Sequence, residues 1–393
     1  MKRLLYIFLA LGLLINYACA THWTRAIQSG GIAQKQFKES VTIEIRNGLI
    51  FVPVTIQGRE YRFLFDSGAP LSISHKLQDD YNFKIISTGN LIDSDHNIKR
   101  IKWAKVESIS NGKVSFNNQS VFIGDFEANP FLKCLEIDGI IGSNLLRHCN
   151  WTIDQEQKSL TFSDSLDKDD LNGSIKIPFR TDNQYNMYTD ISVGRATVRN
   201  ILVDYGSNGS IALNDEIFNT LKGRNILGET IIEKGMQQSG IVGKAVPLNR
   251  EIVYADSVSI DNNSLKKVML RTGKTVSIGN QLLSRFRVTI DFNNKTLHLL
   301  ETKVVQDSIY IPGFKLGYLS DQGVYVQSVI EFSNAYEKGV RANMKVNKLD
   351  RLNFKDGDNF CDYANHKLGN MIFMELIDST GLSKEYNFEK TIY

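Results

Sequence analysis

Two stretches, GIIGSNLLRHCNWTIDQEQKSLTF at residues 139–162 and VSIGNQLLSRFRVTIDFNNKTLHL at residues 276–299, align without a gap. Gly142 meets Gly279, Leu145-Leu146 meets Leu282-Leu283, Thr152-Ile153-Asp154 meets Thr289-Ile290-Asp291, and Leu160 meets Leu297. Identities this dense at one offset mark an internal duplication, and a repeat constrains the fold before any motif does. Upstream, FLFDSGA at 63–69 matches ILVDYGS at 201–207 at an offset one residue longer. Each copy carries the same local signals. The first runs VTIEIRNGLIFVPVTIQGREYRFLFDSGAP, with Asn47-Gly48 and Gln57-Gly58 separating β-rich segments as hairpins require, then a further pair around Asn111-Gly112. The second repeats this as MYTDISVGRATVRNILVDYGSN and IVYADSVSIDNNSLKKVML. Helix signals are short, at 144–148, 214–221 and 281–285. The chain is therefore expected to be mainly β, with two lobes at 40–165 and 170–304 joined by the polar KDDLNGS.

In each copy an apolar strand runs into an Asp followed two residues later by Gly: Phe63-Leu64-Phe65 into Asp66-Ser67-Gly68, and Ile201-Leu202-Val203 into Asp204-Tyr205-Gly206. A lone carboxylate at the end of a core strand is costly. The glycine lets the chain turn tightly and aim N–H groups at it. Two related lobes packed about a pseudo-twofold axis would bring both Asp loops together. Such a pair cannot ionise twice at low cost, so it shares a proton. One carboxylate then activates water while the other protonates or hydrogen-bonds the carbonyl under attack. That chemistry is amide hydrolysis without a covalent intermediate.

These motifs resemble the aspartic peptidases of the pepsin and retropepsin fold, in the bacterial exported form with two retropepsin-like repeats in one chain. The resemblance spans about residues 40 to 304. It implies closed β-barrel lobes, a catalytic dyad of Asp66 and Asp204, and dyad-loop support from Ser67, Gly68, Tyr205, Gly206, Gly142 and Gly279. The later segments Ile140-Ile141-Gly142 and Ser277-Ile278-Gly279 would brace the loops. It also implies a mobile hairpin over the cleft from each lobe. The first is expected within 86–103, including Trp103, and the second near 235–244, with Gly235, Gly240 and Gly243 allowing movement. Trp103 and Tyr81 are candidate substrate-contacting aromatics, with core packing the stronger reading. Three departures stand out: Tyr205 replaces the family's Thr or Ser, Pro70 removes a backbone donor, and Ser277 replaces an apolar residue. They leave open a second reading, a catalytically impaired peptide-binding protein on the same scaffold.

From 309 to 393 the pattern changes and resembles a PDZ domain. Gly313-Phe314-Lys315-Leu316-Gly317 would be its carboxylate-binding loop, with a short helix opening at Ser333-Asn334-Ala335. The alternative is a small β-rich packing domain without a ligand.

The first residues, Met1-Lys2-Arg3 followed by LLYIFLALGLLI, read as a signal peptide ending near residue 20. Ala18 and Ala20 have the spacing of a cleavage site, whereas Cys19 stands where a bacterial lipoprotein carries its lipid. The two readings exclude each other. The chain is in any case expected to be exported, periplasmic or outer-membrane-associated, with a lipidated Cys19 as a candidate membrane tether and a retained leader as the remaining alternative. Loss of Lys2 and Arg3 lowers the formal charge from +3 to +1, giving no electrostatic case for nucleic acid. The remaining cysteines, Cys134, Cys149 and Cys361, allow either a Cys134–Cys149 bridge or three buried thiols.

No metal or other cofactor is expected. The six histidines occur singly, and Asp93-Ser94-Asp95-His96, though acidic, reads as a solvated loop. No Gly-x-Ser-x-Gly elbow occurs. The expected partner is an extended peptide or protein substrate, bound by a monomer, since two lobes in one chain need no dimer to assemble the dyad.

Overall fold

The computed structural model describes residues 26–256, 258–261, 263–303, 310–355, 360–378 and 380–392. The leader, Ala18, Cys19 and Ala20 lie outside them. The chain is mainly β, as its alternating strands and hairpin turns require. A nine-stranded sheet takes its strands from residues 31–141. A six-stranded sheet combines strands of both copies, and a sixteen-stranded sheet runs from the second copy into the C-terminal segment.

The six-stranded sheet shows how the copies are related. Its central pair is Asn150–Asp154 against Phe286–Asp291, antiparallel, with Thr152 opposite Thr289. These residues align across the duplication, and their hydroxyls lie 2.9 Å apart. Equivalent residues pairing antiparallel is what a local twofold axis produces. The order continues outward through Ser159–Ser163 to Lys38–Thr42 on one side, and through Thr296–Glu301 to Ile175–Pro178 on the other. The first-copy segment thus begins before residue 40. Lys38–Thr42 is an integral strand, Gly31–Ile32 pairs with the nine-stranded sheet, and Ile27 is fully buried.

One continuous apolar core, from Ile43 to Leu299, underlies both copies, with Trp151 between Phe65, Phe116 and Phe162. The short helices form where expected, at Ser143–Leu146, Asp215–Gly223 and Asn280–Leu283. A second core lies in the C-terminal segment, built by strands Phe314–Leu319, Gly323–Ile330, Lys345–Leu349, Met371–Ile377 and Ser383–Glu389. It also takes in Cys134 and Phe131, from the helix Pro130–Leu135 of the first copy.

This junction overturns both cysteine expectations. Cys134 is bonded to Cys361, across 227 residues, and Cys149 is a free, buried thiol. Cys149 precedes the strand Asn150–Asp154 and belongs to the main core, whereas Cys134 belongs to the C-terminal core. Proximity in sequence misled because the two residues serve different cores.

Candidate active site

Each Asp loop begins where a core strand ends. Arg59–Phe65 runs parallel to Gly139–Ile141, and Ala196–Asp204 runs parallel to Ser277–Gly279. The segments Gly139–Ile141 and Ser277–Gly279 are tied to these strands: Asp66 N–H donates to the Ile141 carbonyl at 3.0 Å, and Leu202 N–H to the Val276 carbonyl at 3.0 Å. Gly142 and Gly279 are required by contact, since a Cβ at either would overlap the backbone of residues 69–71 or of residue 209. Pro70 fits because Leu71 N–H, not residue 70, meets Asn144 Oδ1 at 2.7 Å. Ser277 is buried inside its short strand.

The two loops interlock. A Cβ at Gly206 would overlap the carboxyl of Asp66, and one at Gly68 would lie 2.7 Å from Asp204 Oδ1. Each loop's glycine therefore packs against the other loop's carboxylate, which brings the two carboxyls together. Gly68 N–H donates to Asp66 at 2.8 Å; Gly206 and Ser207 N–H donate to Asp204 at 3.0 and 3.2 Å. Burial raises the affinity of both carboxyls for a proton. At Asp66 the backbone N–H groups and Asp204 oppose this. At Asp204 the charge of Asp66 adds to burial and carries it well above the ordinary range. Both carboxyls thus hold a proton more readily than a free aspartate, and two groups this close do not ionise independently.

Beneath the pair, the crossing between loops is one-sided. Ser67 Oγ, fully buried, donates to the Val203 carbonyl at 2.6 Å and accepts from Tyr205 N–H at 3.1 Å. Tyr205 does not reciprocate. Its ring is fully buried edge-on to Phe65 at 5.3 Å, and its hydroxyl has no partner among the described residues. The phenol reaches past the place where a short hydroxyl would bond and fills core space instead.

Two hairpins stand in the regions expected for flaps. The first joins Lys84–Ile92 to Ile98–Asn111, and the second joins Ile231–Gln237 to Val246–Ala255. Their tips are bonded to each other, which the sequence reading missed. Asp95, 1% exposed, accepts from Ser239 N–H at 2.7 Å, Ser239 Oγ at 2.8 Å, Gly240 N–H at 2.8 Å and the Gln237 amide. Asp93 accepts from Val242 N–H at 3.1 Å, and Asn129 Nδ2 donates to the Gln238 and Gly240 carbonyls. Residues 93–96 are thus a clasp rather than a solvated loop. Among the described residues no cluster suited to a metal is found. Gly240 and Gly243 serve close contact with Asp93 and Ala128 instead of supplying loose joints. The available signal was two carboxylates placed at the centre of a flap.

Trp103 lies in the first hairpin but is buried against Phe122, and Tyr81 bonds Tyr61 through their hydroxyls at 2.6 Å.

Residues 314–317, expected as a loop, form part of a strand. Phe314 and Leu316 enter the core, Lys315 pairs with Glu233, and Leu316 N–H donates to the Tyr363 hydroxyl at 3.3 Å. Gly313, at φ +83°, sits against Ser333, which caps the helix Asn334–Glu337.

Residues 52–145 match the family model described as aspartyl protease. That span includes the Asp66 loop, the first hairpin and the Gly142 brace, and it ends before the second copy. This part of the chain is an aspartyl-protease-like region in a mainly β structure. No curated protein sequence matches the chain closely enough to count as a relative.

Proposed function

We propose that this chain is a two-lobed aspartic endopeptidase with the dyad Asp66–Asp204. The observation that carries the reading is the reciprocal packing of each loop's glycine on the other loop's carboxylate. Asp66 takes a proton from a water held between the two groups, and Asp204 gives its proton to the substrate carbonyl oxygen. The tetrahedral species then collapses with proton return to the amine. The flap hairpins roof the cleft, and an extended peptide enters when the Asp95 clasp opens.

The C-terminal segment is read as PDZ-like. The helix Pro130–Leu135 packs against its strand Phe314–Leu319 and its helix Phe360–Asn365 and is bonded to it through Cys134–Cys361. The segment therefore serves as an internal buttress rather than a docking site for a free peptide end. The leader and the disulfide both favour an exported, oxidising location, periplasmic or outer-membrane-associated.

The test is hydrolysis of a quenched peptide library from pH 3 to 8 by the chain lacking residues 1–20, compared with Asp66→Asn and Asp204→Asn. Loss of cleavage in both variants supports the two-Asp mechanism. The unpartnered Tyr205 hydroxyl favours a second reading, a peptide-binding protein with an impaired dyad. Peptide binding by a folded chain that cuts nothing would establish that one.

A further inference from the structure

Where the second hairpin pairs with the C-terminal segment, a charge cluster holds more positive than negative groups. Glu233, 2% exposed, commits Oε2 to Arg250 Nη1 at 3.0 Å, and Oε1 to Lys315 Nζ at 2.9 Å and Ser328 Oγ at 2.6 Å. Arg250 has its other nitrogens engaged, Nη2 on Gln237 Oε1 at 2.6 Å and Nε on the Thr272 carbonyl at 3.3 Å. Arg271 stands beside this group within reach of the charges of Glu233, Arg250 and Asp204. Among the described residues no acceptor hydrogen-bonds its guanidinium and no carboxylate forms an ion pair with it. The one anion of the cluster is already saturated.

The position of Arg271 gives this surplus a direction. Its guanidinium lies against Gly209, where a Cβ would stand 2.6 Å from Nη2 and 2.8 Å from Cζ. Gly209 follows Asp204 by five residues on the same loop. In the other direction, Arg250 leads through Gln237 to Asp95 at the flap tip, and Lys274 Nζ reaches the Asp95 carbonyl at 3.1 Å. Arg271 thus lies against the Asp204 loop and beside the Arg250 group that leads to the clasp. Burial of the head group, with the Arg250 charge beside it, lowers its pKa to about 10. A guanidinium partly stripped of water and lacking an acceptor is an unfavourable arrangement that an incoming anion relieves.

We propose that Arg271 reads a carboxylate side chain of the substrate, making the cleft selective for peptides with Glu or Asp at one position near the scissile bond on the second-copy side. A guanidinium and a carboxylate match as a planar, bidentate pair. The inference rests on the peptidase reading for the identity of its ligand. Its test is therefore made in two assays that fail separately.

In the first, quenched peptides cut by the chain are compared with copies in which one Glu near the cleaved bond is replaced by Gln. A charge-assisted pair predicts a kcat/KM ratio of about tenfold to a hundredfold in favour of Glu at one position. Arg271→Gln collapses the ratio toward one, and Arg271→Lys retains part of it. The ratio is the readout, because a change that merely displaced Gly209 would slow both peptides equally and overturn the proposal. In the second assay, the same labelled peptide pairs are titrated against Asp66→Asn by fluorescence anisotropy, which needs no turnover. Tighter, salt-sensitive binding of the Glu peptide, abolished by adding Arg271→Gln, supports the assignment even if nothing is cut. Equal binding of Glu and Gln peptides overturns it, even if the chain is a peptidase.

Discussion

Replacing Ser67 by Ala tests the one-sided crossing beneath the dyad. Among the described residues the hydroxyl is the one side-chain link found between the loops at that level, bonded to the Val203 carbonyl and the Tyr205 N–H in a fully buried setting. Ser67→Ala leaves both backbone groups without a partner. Each such group costs about 1–3 kcal/mol, the carbonyl being the cheaper because its other lone pair can be served elsewhere. The expected destabilisation is about 2–4 kcal/mol, a drop of about 1 M in the urea midpoint for a chain of this size. Tyr205→Phe is the control. It removes a hydroxyl that already lacks a partner and keeps the ring edge-on to Phe65, so stability should change by less than about 1 kcal/mol or rise. Equilibrium unfolding followed by the fluorescence of the buried Trp103 and Trp151 measures both. Equal losses in the two variants would refute the reasoning, because they would mean that the phenol has a partner and the crossing is symmetric. Tyr205→Thr should restore no crossing bond without cost, since deleting a buried ring leaves a cavity worth about 3–5 kcal/mol.

Three further outcomes follow from the same structure. Asp204 binds its proton more tightly folded than unfolded, so its favourable contribution is complete below the unfolded value of 3.8 and is lost as pH rises through the folded value. Asp204→Asn should therefore raise Tm at pH 7 while abolishing cleavage, with the gain shrinking toward pH 3; a gain independent of pH would count against the shared proton. Asp95→Ala removes the acceptor for Ser239 and Gly240 N–H, so hydrogen exchange across 237–243 should accelerate while the strands at 139–141 and 277–279 stay protected. Unchanged exchange would show that the tips are held by other contacts. The Cys134→Ser/Cys361→Ser pair should cost about 2–5 kcal/mol, seen as earlier thermal release and proteolysis of the C-terminal segment. Non-reducing peptide mapping should find the 134–361 link, with Cys149 alkylated only after unfolding.

The duplication could be read from sequence because it repeats local patterns: apolar strand, Asp-x-Gly turn, bracing segment, hairpin glycines. Strand alternation and turn chemistry act over a few residues, and the copies reinforce each other, so the mainly β architecture and the two Asp loops were already legible. Hairpins stand in both regions where the family resemblance led one to expect flaps. The tertiary structure decided the pairings. Asp93 and Asp95 look like a solvated turn until the second hairpin supplies their N–H partners from 142 to 149 residues away. Cys134 looks paired with its sequence neighbour until a helix of the first copy is packed into the C-terminal core. Gly313–Gly317 reads as a binding loop until its side chains prove to alternate into that same core. Tyr205 looks like a defect until the ring is seen filling the space behind Phe65. In each case the deciding term is desolvation: a carboxylate, a thiol or a phenol takes its role from what surrounds it once water is gone. Sequence determined which groups would be brought out of water; only the packed chain decided which partners would meet them there.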